Sequence, residues 1–527
     1  MSELNADQQE VVDERQGPRS VIAGPGTGKT TTMVALIDEL INDGVYPHEI
    51  RAVTFSKEMA EALGKRVPKG IVSTFHSLGY LICNEVERKP VEPELRHRLM
   101  MKLIRKWDIE YKDLDLFISR MRREDVSPTE CTECGDFDYG FACAYSEYER
   151  VRADEGWMDF DSMLHDSVQY LESTQFRARW QYKYLIVDEA QDTDDLQWRM
   201  MQRLSEKHGN ITVVGDPNQA IYGFRGAKPE NITNFEQWFP GGRKYYLGIN
   251  YRSTRNIVNF IRENAPKDTP QELLDKMVAF RKEDGKKIAM KMYWTDDAEA
   301  ESALKLASAD PLNSAILART NRMVGLLERL CNRYGVRYHL LGKTGYWKQN
   351  EIRKAIEALK DYPNLSAAAA CNLALPHLES KYAVADRTER DNDALENLAV
   401  LRTIAKEHNT AKDFVVYGNK MMHRRNDARG ITISTIHQAK GSEWDNVYLI
   451  GANAKMIPHK NGDPLEEARI YLVGISRPRN FLRISFSGTP SSYLRKYLTE
   501  EILDKLTACA DDVQSLQSQH KLFEEKS

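Results

Sequence analysis

The sequence predicts an α/β fold: two parallel-sheet core domains with helical insertions. Three observations lead there. Short apolar, β-branched runs recur at 19–24 (RSVIAG), 50–56 (IRAVTFS), 70–75 (GIVSTF), 182–189 (YKYLIVDE) and 211–216 (ITVVGD). They lack in–out alternation, so both faces should be covered, as in a parallel sheet. The stretches between them carry helical spacing, as at Met33, Val34, Ile37, Leu40 and Ile41. Finally, a second series of runs follows at 243–253 (RKYYLGINYRS), 287–294, 314–320, 431–437, 446–452 and 481–488. A chain of 527 residues is too long for one core.

Taken in order, residues 1–81 and 176–245 are expected to form the first core domain. Charged, helix-compatible sequence at 82–175 reads as a helical insertion between its strands. Residues 246–360 and 429–495 should form the second core domain. It is interrupted at 361–428 by a smaller helical insertion that includes SAAAACNLAL. Residues 496–527 read as a polar C-terminal tail.

Composition sets limits on the function. The chain is 41% hydrophobic and 29% charged, with a mean hydropathy of -0.57. No apolar run is long enough to span a bilayer, and the opening MSELNADQQE is too polar and acidic for a secretory signal. A net charge of -4 argues against a histone-like basic binder, while leaving room for a local basic groove. Seven cysteines suggest no disulfide framework and a reducing, cytoplasmic setting. Cys131 and Cys134 form a CxxC with Cys143 nearby, but no fourth ligand stands at a zinc spacing, which leaves a thiol-bearing loop.

Two motifs carry phosphate chemistry. In AGPGTGKT (23–30), Gly24, Gly26 and Gly28 can turn backbone N–H groups toward phosphate oxygens, and the helix beginning near Lys29 adds its positive end. The loop runs through Ala23, Gly24, Pro25, Gly26, Thr27, Gly28, Lys29, Thr30 and Thr31, with Ala23 in place of the first Gly of the strict pattern. Lys29 can neutralise the β- and γ-phosphates and Thr30 can ligate Mg²⁺. Asp188 and Glu189 follow the apolar run YLIV. Asp188 is placed to hold Mg²⁺, and Glu189 to accept a proton from an attacking water. A nucleoside triphosphate and Mg²⁺ are what this chemistry asks for.

GDPNQAIYGFRGA (215–227) resembles motif III of the UvrD/Rep-type superfamily 1 DNA helicases, and the rest of that series follows in order. LNADQQEVV (4–12) resembles the Q motif, aligning Gln8 with an adenine-reading glutamine. VTFSKEMAEAL (53–63) and STFHSLG (73–79) resemble motifs Ia and Ib, and WMDFDSML (157–164) a segment preceding motif II. NYRS (250–253), ARTN (318–321), TIHQAKGSEWDNVYLIG (435–451) and EEARIYLVGISRPR (466–479) resemble motif IV through motif VI. The resemblance covers almost the whole chain and implies two RecA-like cores.

The site roles below are those the resemblance implies. Gln219 senses the γ-phosphate. Arg252 and Arg477 stabilise charge in the transition state, delivered from the second core domain. Gly441 and Glu443 lie near the ribose and triphosphate. Tyr222, Phe224 and Arg225 grip bases by stacking, which is sequence-tolerant. Phe55, Thr74, His76, Arg319, Asn321 and His437 line the strand path. The expected function is an ATP-dependent helicase that tracks 3′→5′ on single-stranded DNA and unwinds duplex; a protein-displacing translocase with weak unwinding is the alternative. The expected partners are single-stranded DNA, single/double-strand junctions and replication or repair proteins. The expected location is the cytoplasm, at the nucleoid or replication sites, or the host cytoplasm for a viral chain.

The chain also departs from the family pattern. Ala468 replaces one of the paired arginines of motif VI, with Arg469 retained; Leu472 replaces a common Tyr and Pro478 a common Ala. Family members carry a much larger insertion before motif V, where this chain has only 361–428. That reduction bears on duplex handling rather than on translocation. A nuclease-like domain after motif VI is not expected.

Overall fold

The computed structural model describes residues 3–133, 137–223, 226–342, 346–383, 389–423, 429–460 and 462–498. Two compact units emerge: Met1–Asn250 with Thr269–Met277, and Tyr251–Asp268 with Val278–Ser527.

The first unit is built on strands β1 (Arg19–Ala23), β2 (Ile50–Thr54) and β3 (Val72–Thr74). After the two-residue strands β4 (Lys89–Pro90) and β5 (Trp157–Met158) come β6 (Tyr184–Val187), β7 (Ile211–Gly215) and β8 (Arg243–Leu247). Six of these form one sheet in the order β3-β2-β6-β7-β1-β8. Every pairing in it is parallel, with Val21 opposite both Val214 and Tyr245. The continuous apolar runs explain this: β1, β6 and β7 are buried along their whole length, which only a sheet covered on both faces permits. One expectation needs correcting. Residues 243–247 do not open the second set of strands but pair with β1 at the edge of the first sheet. An all-parallel strand carries no local mark of which sheet it joins.

Because all six strands run the same way, their carboxyl ends lie along one edge, where α/β folds place ligands. The strand order arrays the candidate residues there: Thr74 at the end of β3, Phe55 after β2, Asp188 after β6, Asp216 after β7 and the glycine-rich loop after β1. Three strand steps separate β2 from β1, about 14 Å at the usual spacing.

Helices α1 (Ala6–Asp13), α2 (Lys29–Asn42), α3 (Lys57–Gly64) and α4 (Phe75–Glu85) pack around this sheet. The next five are α5 (Pro93–Trp107), α6 (Tyr111–Arg123), α7 (Pro128–Glu133), α8 (Tyr139–Asp154) and α9 (Phe160–Glu172). They surround a core of their own, including Met100, Leu103, Ile118, Met121 and Tyr145. Cys131 is buried in that core; Cys134 lies outside the described residues. A buried ionic cluster ties the bundle together. Arg122 pairs with Asp159 at 2.6 Å and Glu149 at 2.5 Å, and Arg152 with Glu149 at 2.6 Å and Asp166 at 2.5 Å. Tyr148 donates to Asp159 at 2.6 Å. Burial pushes the Asp159 carboxyl up, but Arg122 and these hydrogen bonds outweigh it and hold the group well below the usual carboxylate range. Helix α9 in turn packs on α4.

After the two-residue strands β9 (Ile249–Asn250) and β10 (Val278–Ala279), the second unit holds β11 (Ala289–Tyr293), β12 (Ser314–Ala318), β13 (Tyr338–Leu340), β14 (Ile431–Thr435), β15 (Trp444–Leu449) and β16 (Pro478–Ser487). These form a second six-stranded parallel sheet, in the order β11-β16-β15-β12-β14-β13. Strands β13 and β14 are neighbours, yet the chain between them supplies helices Asn350–Leu359, Ala367–Ser380, Glu389–Ala405 and Ala411–Met422. These helices enclose a separate core around Tyr346, Trp347, Ile356, Leu401 and Phe414. Most of the expected tail, from 499 onward, lies outside the described residues. Among the described residues no helix is long and apolar enough to cross a membrane.

Candidate nucleotide and nucleic-acid site

The glycine-rich loop leaves β1 and enters α2 with Gly28 as its N-cap, in the left-handed region at φ 82°. A side chain there would be strained and would also meet Gln8 Nε2 at 2.8 Å. The loop is held from several sides. Gly24 N donates to Leu247 O at 3.0 Å, Thr27 Oγ1 to Gly24 O at 2.8 Å and Lys29 Nζ to Ala23 O at 3.5 Å. Thr30 and Thr31 are half-buried in the first turn of α2. Gln8 is buried, and its carboxamide already has partners: Nε2 donates to Thr27 O at 3.0 Å and Oε1 accepts from Asn5 N at 3.0 Å. The residue expected to read adenine thus also braces the loop.

Asp188 follows β6, and its N–H donates to Val53 O at 2.9 Å. Burial first, then the neighbouring Glu189 charge, pushes its carboxyl up to about 7 against the pull of Lys29. Glu189 sits in the left-handed region at φ 51°, a conformation that costs a non-glycine residue about 1 kcal/mol or more and collects at functional sites. Gln191, which the sequence reading passed over, holds that turn. Its Nε2 donates to Glu189 Oε2 at 2.5 Å, and its Oε1 accepts from Asp216 N at 2.9 Å. Asp216, after β7, is fully buried; burial raises its pKa and Lys29 opposes the shift. Asp216 accepts from Gln219 Nε2 at 2.6 Å and from Asn218 N at 3.1 Å. Lys29, Asp188, Glu189, Asp216 and Gln219 are therefore drawn together at one sheet edge. Asn250 Nδ2 donating to Pro25 O at 2.7 Å, and Thr269 Oγ1 donating to Asn218 Oδ1 at 2.7 Å, brace the same two turns. Burial and geometry give Gln191, Asn250 and Thr269 these bracing roles, since an amide or hydroxyl shows its part only once its partner is known.

Among the described residues no three His, Cys, Asp or Glu side chains cluster as a metal cage. Mg²⁺ needs none, because it takes one or two protein ligands beside phosphate oxygens and water. Asp188 and Thr30 supply hard oxygen donors of the right kind. The desolvation that lifts Asp188 is the penalty that a bound dication relieves, so these residues fit the ion.

Along the same edge, the Phe55 and Tyr222 rings stack at 5.6 Å and 11°. The His76 ring stacks on Phe160 at 3.9 Å and 13°, and Phe160 is 64% exposed. Burial lowers the His76 pKa to about 4, opposed by Asp161, so the ring is neutral at pH 7. Thr74 caps α4, accepting from Ser77 N at 3.1 Å. Phe224 and Arg225 lie outside the described residues.

The second unit sorts its candidates by sheet end. Arg252, Gly441, Glu443 and Arg477 gather where β15 and β16 begin, and Arg319, Asn321 and His437 follow the ends of β12 and β14. Arg252 pairs with Glu443 and donates to Ser476 O at 3.2 Å. Glu443 also accepts from Arg479 Nη2 at 2.6 Å. Burial pushes Glu443 up, but Arg252 and Arg479 outweigh it and hold its pKa below the usual value. Arg477 donates to Val473 O at 2.8 Å, Ser442 O at 3.3 Å and Ser476 Oγ at 2.7 Å. Gly441 turns at φ 83° just before Glu443. Arg319, expected on the strand path, forms a buried two-pronged pair with Glu467 at 2.6 and 3.3 Å. Asn321 begins helix Asn321–Tyr334, and His437 lies half-buried in the turn after β14. Arg469, the retained arginine of motif VI, pairs with Asp268.

Comparison with known proteins agrees with this geometry. The UvrD/REP helicase N-terminal domain matches residues 4–240. The UvrD-like helicase C-terminal domain matches 245–389 and 382–489. A probable DNA helicase II homolog of Rickettsia conorii is 26% identical over 653 aligned positions, covering 98% of this chain and 98% of that protein. The ATP-dependent DNA helicase PcrA of Staphylococcus aureus is 24% identical, covering 96% of this chain and 87% of the relative. PcrA of Staphylococcus epidermidis is 25% identical, with 98% and 89% covered. Family matches run from residue 4 to residue 489, over the sheet edge that carries the glycine-rich loop, Asp188 and the glutamine turn: this chain belongs to the UvrD/Rep helicase family.

Proposed function

We propose that this protein is an ATP- and Mg²⁺-dependent DNA helicase that moves 3′→5′ along single-stranded DNA and separates duplex ahead of it. The observation that supports this most directly is the carboxyl edge of the first sheet, where the phosphate loop, the Asp188–Glu189 pair and the Phe55–Tyr222 stack succeed one another. Lys29 and the loop N–H groups bind the β- and γ-phosphates. Asp188 and Thr30 hold Mg²⁺, which when bound offsets the charge that develops on the transferred phosphoryl group. Glu189, oriented by Gln191, accepts the proton of the attacking water. Gln219 reports the state of the γ-phosphate, and Arg252 and Arg477 compensate transition-state charge. To do so they must exchange Glu443 and backbone partners for phosphate oxygens. Phe55 and Tyr222 give bases an aromatic face, and the family resemblance adds Thr74, His76, Arg319, Asn321 and His437 as residues that contact the strand. Single/double-strand junctions are the substrate, the cytoplasm is the site of action, and the division into two core domains with a reduced second insertion is part of this reading.

Partial duplexes with 3′ or 5′ tails, with and without ATP, test activity, polarity and energy source together. ATP-dependent unwinding that requires the 3′ tail is expected; unwinding only from the 5′ tail overturns the polarity. The small insertion between β13 and β14 favours a second reading, a translocase that strips bound proteins and unwinds weakly. Efficient unwinding by the monomer rejects it.

A further inference from the structure

The chain passes between its two compact units at three points: after Asn250, before Thr269 and after Met277. Within the first unit, each of these residues is fastened to a turn of the nucleotide site. Asn250 holds Pro25 O in the phosphate loop at 2.7 Å. Thr269 Oγ1 donates to Asn218 Oδ1 at 2.7 Å, in the turn Pro217–Gln219. Met277 Cε lies 3.4 Å from where a Cβ on Gly24 would stand. All three are buried. Helix Gln271–Lys276 lies between Thr269 and Met277, pressed so close to Gly248 that any Cβ there would collide with the Lys276 backbone.

Leu273 and Met277 of this segment are buried, and Lys276 pairs with Asp7 at 2.6 Å. The Thr269 hydroxyl adds something packing does not, a directional bond to the residue beside Gln219. Asn218 and Gln219 both donate to the Asp216 carboxylate, at 3.1 and 2.6 Å, so a displacement of Asn218 is carried to Gln219 through a shared acceptor. Force along the chain between the units thus enters the first unit at residues bonded to the phosphate loop and the glutamine turn.

We infer that Thr269 is a positioning residue that couples the chain between the units to the Gln219 turn and so sets how strongly single-stranded DNA stimulates hydrolysis. This rests on the helicase reading above. The test compares the full-length chain with T269V, which keeps the side-chain shape and removes the donor, and with T269S, which restores the donor. The readouts are phosphate release with and without oligo(dT), KM for ATP, and thermal unfolding. Coupling energies carried by single residues correspond to about 2- to 30-fold. The expected result is a fall of that size in the ratio of stimulated to basal rate for T269V, at little-changed KM, with the ratio recovered in T269S. A purely structural Thr269 lowers both rates and the melting temperature together and leaves the ratio intact; that outcome overturns the inference, as does a T269S ratio no better than that of T269V. If T269V is too unstable to assay, T269A removes the same donor with less steric demand and is judged by the same ratio. Failure of the helicase reading is visible separately, as a wild-type chain whose phosphate release ignores DNA.

Discussion

Replacing Gly215 by alanine probes the link between the two acidic turns. Gly215 ends β7 directly against Gln191. A Cβ there would collide with Gln191 Oε1 and stand 2.9 Å from Ile232 Cδ1 and 3.2 Å from Ala190 N. The backbone and Ile232 have little room, so Gln191 is the group that moves. Its displacement breaks the bond from Asp216 N and withdraws the donor to Glu189. Overpacking a core costs about 1–3 kcal/mol. Leaving the buried Asp216 N–H unpaired adds about 1–3 kcal/mol, so the total is about 2–6 kcal/mol. In a unit of this size that lowers the melting temperature by about 4–24 °C. The DNA-stimulated ATPase should fall further than stability alone explains, because Glu189 loses its orienting partner. Differential scanning calorimetry and steady-state phosphate release measure the two effects. Gly64→Ala is the control: it lies at the end of α3 with nothing within 4 Å of its Cβ position, and should be neutral or mildly stabilising. A G215A protein that melts with wild type and hydrolyses ATP at the wild-type rate refutes the argument that Gln191 bridges the two turns.

Lys29→Ala and Glu189→Gln should each lose single-strand-stimulated phosphate release by at least about 100-fold, while fluorescence anisotropy still detects DNA binding; full hydrolysis in both variants ends the hydrolysis assignment. Chelating Mg²⁺ should abolish the same release and leave the fold unchanged by circular dichroism. Glu299 is fully buried, and its Oε1 accepts from Gly451 N at 2.8 Å and Ser485 Oγ at 2.6 Å; burial outweighs these bonds and raises its pKa from 4.5 to about 7. Its folded pKa therefore exceeds the unfolded value, so its stabilisation is complete below pH 4.5, declines as pH rises and is gone above 7, a change of about 3 kcal/mol; urea titrations across that window should show the decline in wild type and its absence in Glu299→Gln. Cutting the buried Arg319–Glu467 pair with Glu467→Gln should cost about 3–5 kcal/mol, and DNA affinity measured well below the new melting temperature should stay near wild type.

How much of this was legible in the sequence depended on whether a residue acts through local pattern or through buried partners. The strand–loop–helix around Lys29 and the strand before Asp188 were readable because chain order alone places a Gly-rich turn and an acidic pair at strand ends. The parallel sheets were readable from uninterrupted apolar runs, but the sheet to which Arg243–Leu247 belongs was not, since strand neighbours are set by pairing across more than two hundred residues. Gln191, Asn250 and Thr269 escaped notice because an amide or hydroxyl becomes informative only once its partner is known. Arg319 shows the converse. Its motif drew attention to it, but its pairing with Glu467, a residue 148 positions away, has no local mark in the sequence.

The ionic cluster inside the α5–α9 bundle bears on how this protein should be handled. Its charges are screened from solvent by the surrounding side chains, so added salt, which weakens exposed pairs, should leave the bundle firm while it weakens any grip on phosphate. Acid acts the other way. Protonating Asp159, whose pKa is depressed, removes its contribution as pH falls below the ordinary carboxylate range, and Arg122 loses a counter-charge in a place water does not reach. High-salt buffers should therefore strip nucleic acid from intact protein during purification, whereas an acidic elution should loosen the arm that braces α4 and its exposed His76–Phe160 stack.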